Sequence, residues 1–166
     1  MPFARNNLEC VIGSIDTERT WSREQLNSFV AYWQGLNWLD SRGNSVGDHV
    51  IVGGFSHVRV ESGFGLQLYS NHQGGYRAMC PRCKQNITSD FSTAVTKWRG
   101  GDQRSVFCTV CGHRSKLESV SLRPPGMFAD GVLILCAVES IQMTEQAQHS
   151  VLERLGQHQM VFRRLA

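Results

Sequence analysis

Four cysteines are spaced so that they could share one metal ion. Cys80 and Cys83 stand in MCPRCKQN and Cys108 and Cys111 in FCTVCGHR, two C-x2-C pairs separated by 24 residues. A tetrahedral ion such as Zn²⁺ takes four ligands, and two thiolates two residues apart can turn through a tight knuckle so that both sulfurs meet it. Two knuckles complete the shell. Pro81 fixes φ in the first turn, and Gly112 can take the positive φ that lets backbone amides face the sulfurs. Four cysteine ligands leave no coordination position for water, so one structural Zn²⁺ is expected and hydrolytic chemistry is not. His113 follows the second knuckle directly and is read as a solvated neighbour; ligation in place of Cys111, or a hydrogen bond to the ligand shell, stays open.

Other reactive residue types give weaker patterns. Cys10 and Cys136 fall in strand-like segments without a local general base and are read as buried thiols. His49, His57, His72, His149 and His158 show no HExxH or other paired-ligand spacing. Asp16, Glu18 and Glu24 gather near a helix start, where carboxylates favour the helix dipole; that reading outweighs a nuclease-like acid group. The GGF and GFG stretches lack the context of a phosphate-binding loop and read as hairpin glycines.

The knuckle segments resemble the zinc-ribbon family over roughly residues 77–120. The resemblance implies knuckles at the tips of β-hairpins around one structural zinc, and frequent service in transcription or RNA machinery. The chain departs from a plain ribbon between the knuckles. In DFSTAVTKW, Phe91, Ala94, Val95 and Trp98 recur at helical spacing after Asp90, which suits an N-cap.

Elements that could carry this module lie on both sides. LECVIGSI (8–15) reads as a strand. In TWSREQLNSFVAYWQG (20–35), Ser22 and Gln25 form a capping box, Trp21 can staple onto Leu26, and Leu26, Phe29, Val30 and Trp33 make one apolar face. HVIVGGF, SHVRVES and FGLQLYS suggest a three-strand meander over 49–70. SLRPPGMFAD (121–130) reads as a linker, because Pro124, Pro125 and Gly126 oppose helix and ladder alike. GVLILCAVE (131–139), TEQAQHSVLERLG (144–156) and MVFRRL (160–165) then read as strand, helix and strand. Two βαβ halves predict an α+β, ferredoxin-like fold: an antiparallel sheet with both helices on one face, carrying an inserted four-cysteine zinc-ribbon module. The expected divisions are 1–76 (βαβ plus meander), 77–120 (insert) and 121–166 (closing βαβ).

Composition limits the function. The chain has 166 residues, 41% of them hydrophobic, and no apolar run near the roughly 18 that a membrane span requires. MPFARNNLEC has no apolar stretch suited to a signal peptide, so the expectation is cytoplasmic, where six cysteines suggest metal rather than disulfides. Formal charge is +5 over residues 61–125 and −1 on each flank, and a zinc tetrathiolate would reduce the middle to about +3. That is mild for a nucleic-acid stripe. The expectation is a non-enzymatic protein that binds a protein partner, as an adaptor, inhibitor or immunity-type protein would; nucleic-acid binding through the ribbon is the alternative. The candidate partner surface is Arg82, Lys84, His113 and Arg114, with Trp38 and Trp98 as aromatic anchors.

Overall fold

The computed structural model describes residues 6–165; MPFAR, part of the stretch weighed as a leader, lies outside them. In chain order the elements are β1 (Leu8–Ser14), α1 (Arg23–Gly35), β2 (His57–Glu61), β3 (Gln67–Tyr69), β4 (Arg77–Met79) and α2 (Thr88–Arg99). They continue with β5 (Ser105–Phe107), β6 (Arg114–Lys116), a 3-10 turn at Leu117–Ser119, β7 (Ser121–Arg123), β8 (Met127–Ala129), β9 (Val132–Cys136), α3 (Glu145–Leu155) and β10 (His158–Arg164).

Helices α1 and α3 both begin after a residue whose side chain caps them. Ser22 accepts from the Gln25 amide and Gln25 Oε1 accepts from the Ser22 amide, so two donors at the start of α1 are satisfied reciprocally. Thr144 caps α3 by accepting from the Ala147 amide, and Gly156 ends it with φ 98°. Leu26, Phe29 and Trp33 of α1 and Ala147, Val151 and Leu155 of α3 enter one core with Cys10, Ile12, Leu133 and Leu135. The two helices therefore cover the same sheet face, as their apolar stripes require. Trp33 also donates through Nε1 to Ser150 Oγ across the helix pair at 3.0 Å.

The main sheet has strand order β10-β1-β9-β2, and each neighbouring pair is antiparallel. The fold is mixed α and β with antiparallel sheets. Its second face is covered by the short β3·β8 pair, from which Tyr69, Met127 and Ala129 pack on Val11, Val132, Ile134 and Val161. Gly13 marks the closest approach, since a Cβ there would stand 2.8 Å from the Ala129 Cβ. Gly131 is more restricted still: φ is 89° and a Cβ would stand 2.0 Å from the Trp21 carbonyl oxygen.

Between β2 and β9 the chain runs out through β3, β4, α2 and β5 and returns through β6, β7 and β8. Its antiparallel pairs are nested: β2·β9, β3·β8, β4·β7, then β5·β6. A second core sits along this excursion, built from Ala78, Ile87, Phe91, Val95, Val106, Leu117, Leu122 and Phe128 among others.

Three sequence expectations need correction. The meander over 49–70 does not form: β2 pairs with β9 and β3 with β8, while the stretch before β2 makes isolated bridges such as Ile51 with Met143. Alternation identified the strands but carried no information about distant partners. The 121–130 segment is mostly paired, because its prolines occupy the gap between β7 and β8. Asp90 does not cap α2; the helix starts at Thr88, after Ile87, and Asp90 lies within the first turn. Among the described residues, no helix is long and apolar enough to cross a membrane.

Candidate metal centre

The two knuckles have one hydrogen-bond plan. The Cys80 amide donates to the Gln85 carbonyl at 2.9 Å, and the Cys108 amide donates to the His113 carbonyl at 2.9 Å. Each first cysteine's carbonyl accepts from the residue four positions on, Lys84 at 3.0 Å and Gly112 at 2.8 Å. The residue after each second cysteine is left-handed: Lys84 has φ 63° and Gly112 has φ 76°. Glycine adopts this conformation without a Cβ penalty, whereas lysine does so under strain.

This backbone aims donors at sulfur. Cys80 Sγ accepts from the amides of Arg82 at 3.4 Å and Cys83 at 3.5 Å, and Cys108 Sγ accepts from the Cys111 amide at 3.4 Å. The four sulfurs lie within 4.8 Å of one another; Cys80 and Cys111, and Cys83 and Cys108, are 3.7 Å apart. They are the one group of metal-ligating side chains of this kind among the described residues. The Cys83 amide, then the Arg82 amide, lower the Cys80 thiol to about 6 against the opposing effect of burial. At Cys83 a backbone hydrogen bond from Gln85 lowers the pKa, but burial and the three neighbouring thiols outweigh it and leave the thiol at about 11. Coordination to a cation deprotonates such thiols, and the donor set therefore suits a metal ion.

Elements of the second core hold the knuckles together. Cys80 and Cys108 are buried in it beside Phe91 and Leu117, whereas Cys111 is exposed. Asp90 of α2 accepts from the Thr109 hydroxyl at 2.9 Å, tying the helix to the second knuckle. Trp98 is half-buried against Phe128, with ring centroids 5.6 Å apart. Arg104 is engaged by Glu118 at 3.0 Å and Glu18 at 3.3 Å, which raise its pKa and join this region to the β1–α1 loop.

Arg82, Lys84 and Arg114 are exposed around the sulfurs, and His113 is half-buried. Trp38 is elsewhere, stacked on His49 with centroids 6.0 Å apart next to Trp33. The structure thus separates it from the other five candidate surface residues. Asp16, Glu18 and Glu24 also have separate roles: Asp16 accepts from the Glu18 amide, Glu18 pairs with Arg104, and Glu24 lies in the first turn of α1.

Two apolar side chains on the second knuckle escaped the sequence reading. Phe107 is 48% exposed and Val110 62% exposed, and the Arg114 guanidinium lies 5.8 Å from the Phe107 ring centroid. Their signal was present in FCTVC, where an apolar residue precedes Cys108 and another sits inside the knuckle. Phe107 lines a cavity of about 470 Å³ between α2 and the β5·β6 hairpin, together with residues including Asp90, Lys97, Asp102 and Arg114.

Against protein-family models, curated proteins and solved structures, the chain gives no match.

Proposed function

We propose that the chain is a zinc-binding protein whose metal is structural and whose metal-held lobe docks a protein partner. Support for zinc comes from spacing. A tetrahedral Zn–S distance of about 2.3 Å requires sulfurs about 3.8 Å apart. Two of the four cross-knuckle separations, Cys80–Cys111 and Cys83–Cys108, are 3.7 Å, and all four sulfurs lie within 4.8 Å of one another. Four thiolates also complete zinc's usual structural shell. The zinc-ribbon reading is supported by the shared knuckle plan, with α2 as an addition between the knuckles.

We further infer a ferredoxin-like core with the cysteine lobe as an insert, divided near 1–76, 77–120 and 121–166. The support is the all-antiparallel β10-β1-β9-β2 order, with α1 linking β1 to β2 and α3 linking β9 to β10.

The observation that carries the partner reading is the exposed Phe107, which lines a cavity with charges of both signs, with a second exposed apolar residue, Val110, three positions on in the same knuckle. Exposed apolar groups within a polar rim are the pattern of a protein interface. A phosphate backbone would meet the carboxylates Asp90 and Asp102 in that cavity, which disfavours nucleic acid there. Arg82, Lys84, His113 and Arg114 would form the rim, and an adaptor, inhibitor or immunity-type role agrees with such a surface.

Affinity purification from the native host, comparing the wild type with Phe107→Ser/Val110→Ser, tests this. The expected result is a stoichiometric protein retained by the wild type and lost from a variant that keeps its zinc. Recovery of nucleic acid alone, with strong salt dependence, would replace the reading with the ribbon alternative.

A further inference from the structure

The sheet face turned away from the helices carries an ionic row that the metal centre does not use. By register, Arg163 of β10 faces Glu9 of β1, Glu9 faces Cys136 of β9, and Cys136 faces His57 of β2. Side chains at such paired positions project to the same side, their Cβ atoms about 4.5–5.5 Å apart. The row lies where β1 begins and β9 ends, while the β3·β8 cover packs farther along these strands, on Val11 and Val132. A cavity of about 530 Å³ opens there, lined by residues including Glu9, Ser56, His57, Arg59, Cys136 and Leu165. This is an ordinary size for a small-molecule site.

Its charges are unequally committed. Glu9 has a side chain only 4% exposed, and Oε1 accepts from Arg163 Nε at 3.2 Å and Nη2 at 3.1 Å. Arg163 is buried as well, so these two form a fixed pair. Arg59 is held more loosely: its side chain is 43% exposed, and its contacts are 3.4 Å to Glu9 Oε2 and 3.5 Å to Glu61. Its remaining contact in the cavity is a weak one, 3.8 Å to Cys136 Sγ. Arg59 and Glu9 Oε2 are therefore adjacent groups of opposite charge that could exchange their mutual contact for a ligand.

Charge balance selects that ligand. Glu9 and Glu61 oppose Arg59 and Arg163, so the network is neutral before anything binds. An anion taking Arg59 would leave Glu9 Oε2 facing a second negative charge, and a cation taking Glu9 would face Arg59. A neutral polar molecule would replace a charge-assisted contact with a weaker one. A molecule with both charges on one carbon avoids all three costs: its carboxylate takes the planar Arg59 fork while its ammonium takes Glu9 Oε2. We propose that this cavity is a binding site for a free α-amino acid, with Arg59 as the carboxylate anchor and Glu9 as the ammonium anchor. The side chain would rest against Cys136, Ala137 and Leu165, which favours an apolar one. Ala137 has φ 54° and follows the end of β9 directly.

The test uses the zinc-loaded protein and isothermal titration with L-leucine, N-acetyl-L-leucine and L-leucinamide, and with L-methionine and L-phenylalanine as alternative apolar side chains. Leucine is expected to bind, and both blocked forms are expected to bind at least about tenfold more weakly, each having lost a charge-assisted hydrogen bond. Arg59→Met, at an exposed position compatible with folding, should abolish leucine binding, with an unchanged circular dichroism spectrum. Glu9→Gln should weaken leucine more than N-acetyl-leucine. Equal binding of leucine and its N-acetyl form would reduce the site to an anion site and overturn the proposal, as would equal binding of leucinamide. No heat with leucine, methionine or phenylalanine would overturn it too. These results are independent of the lobe's partner.

Discussion

One carboxylate oxygen of Asp90, Oδ2, receives both the hydroxyl and the amide of Thr109, at 2.9 and 3.4 Å. Helix α2 thereby holds the second knuckle by its middle, between Cys108 and Cys111. Asp90→Ala should leave the four sulfurs in place but lower the thermal stability of the lobe by about 1–2 kcal/mol, the usual cost of losing such hydrogen bonds. It should also weaken metal retention in competition with a chromophoric chelator. An unchanged chelator titration would mean that the knuckle is ordered by the metal alone.

The matched knuckles make opposite predictions at equivalent positions. Lys84→Gly should stabilise the protein by about 1 kcal/mol, because a left-handed lysine gives way to a residue that accepts this conformation. Gly112→Ala should destabilise it by about the same amount. Thermal unfolding of the zinc-loaded proteins checks both, and equal shifts in one direction would contradict the shared geometry.

Metal removal should act on one part of the chain. A strong chelator is expected to extract about one zinc per chain and to release the core around Phe91, Val106 and Leu117, since binding energy and folding energy of such sites are joined. Amide exchange measured by mass spectrometry should rise in residues 77–123 and stay low in β1, β9, α1 and α3. Cys80→Ser or Cys108→Ser should reproduce the pattern with zinc added. Uniform protection after chelation would count against a structural metal.

The buried Glu9–Arg163 pair gives a double-mutant test. Arg163→Met should cost about 3–5 kcal/mol, because Glu9 would remain buried with only the long Arg59 contact. Glu9→Met/Arg163→Met should regain most of that loss, because apolar side chains then fill the same space. Urea unfolding of the wild type, Glu9→Met, Arg163→Met and the double variant measures the coupling; additive costs would argue against direct coupling.

Residues with local rules were the readable ones. Ser22 and Gln25 announced their helix start because both members of the capping box lie within one turn, and the cysteines announced their knuckles because ligand geometry fixes a two-residue gap. Gly112 has the positive φ expected of it. Distant pairing was not readable in the same way. Nothing in FGLQLYS indicates that Leu68 faces Phe128 rather than the preceding strand. Asp90 fitted a cap by type and position, yet its carboxylate is used by Thr109, a contact that depends on how the knuckle returns to the helix. The Arg163–Glu9–Cys136–His57 row was invisible for the same reason: its four members come from four strands and align only through register.

The nested β-pairs determine where this gene could be shortened. Glu61 and Val132 are direct partners, so a short turn could in principle join them and delete everything between. That cut would remove Tyr69, Met127 and Ala129 and expose the sheet's second apolar face to water. A cut two rungs farther out, joining Arg77 to Arg123, removes both knuckles and keeps the cover. The lobe is thus exchangeable at β4·β7 but not at its root, and a chimera carrying another cysteine module there would retain a sealed core.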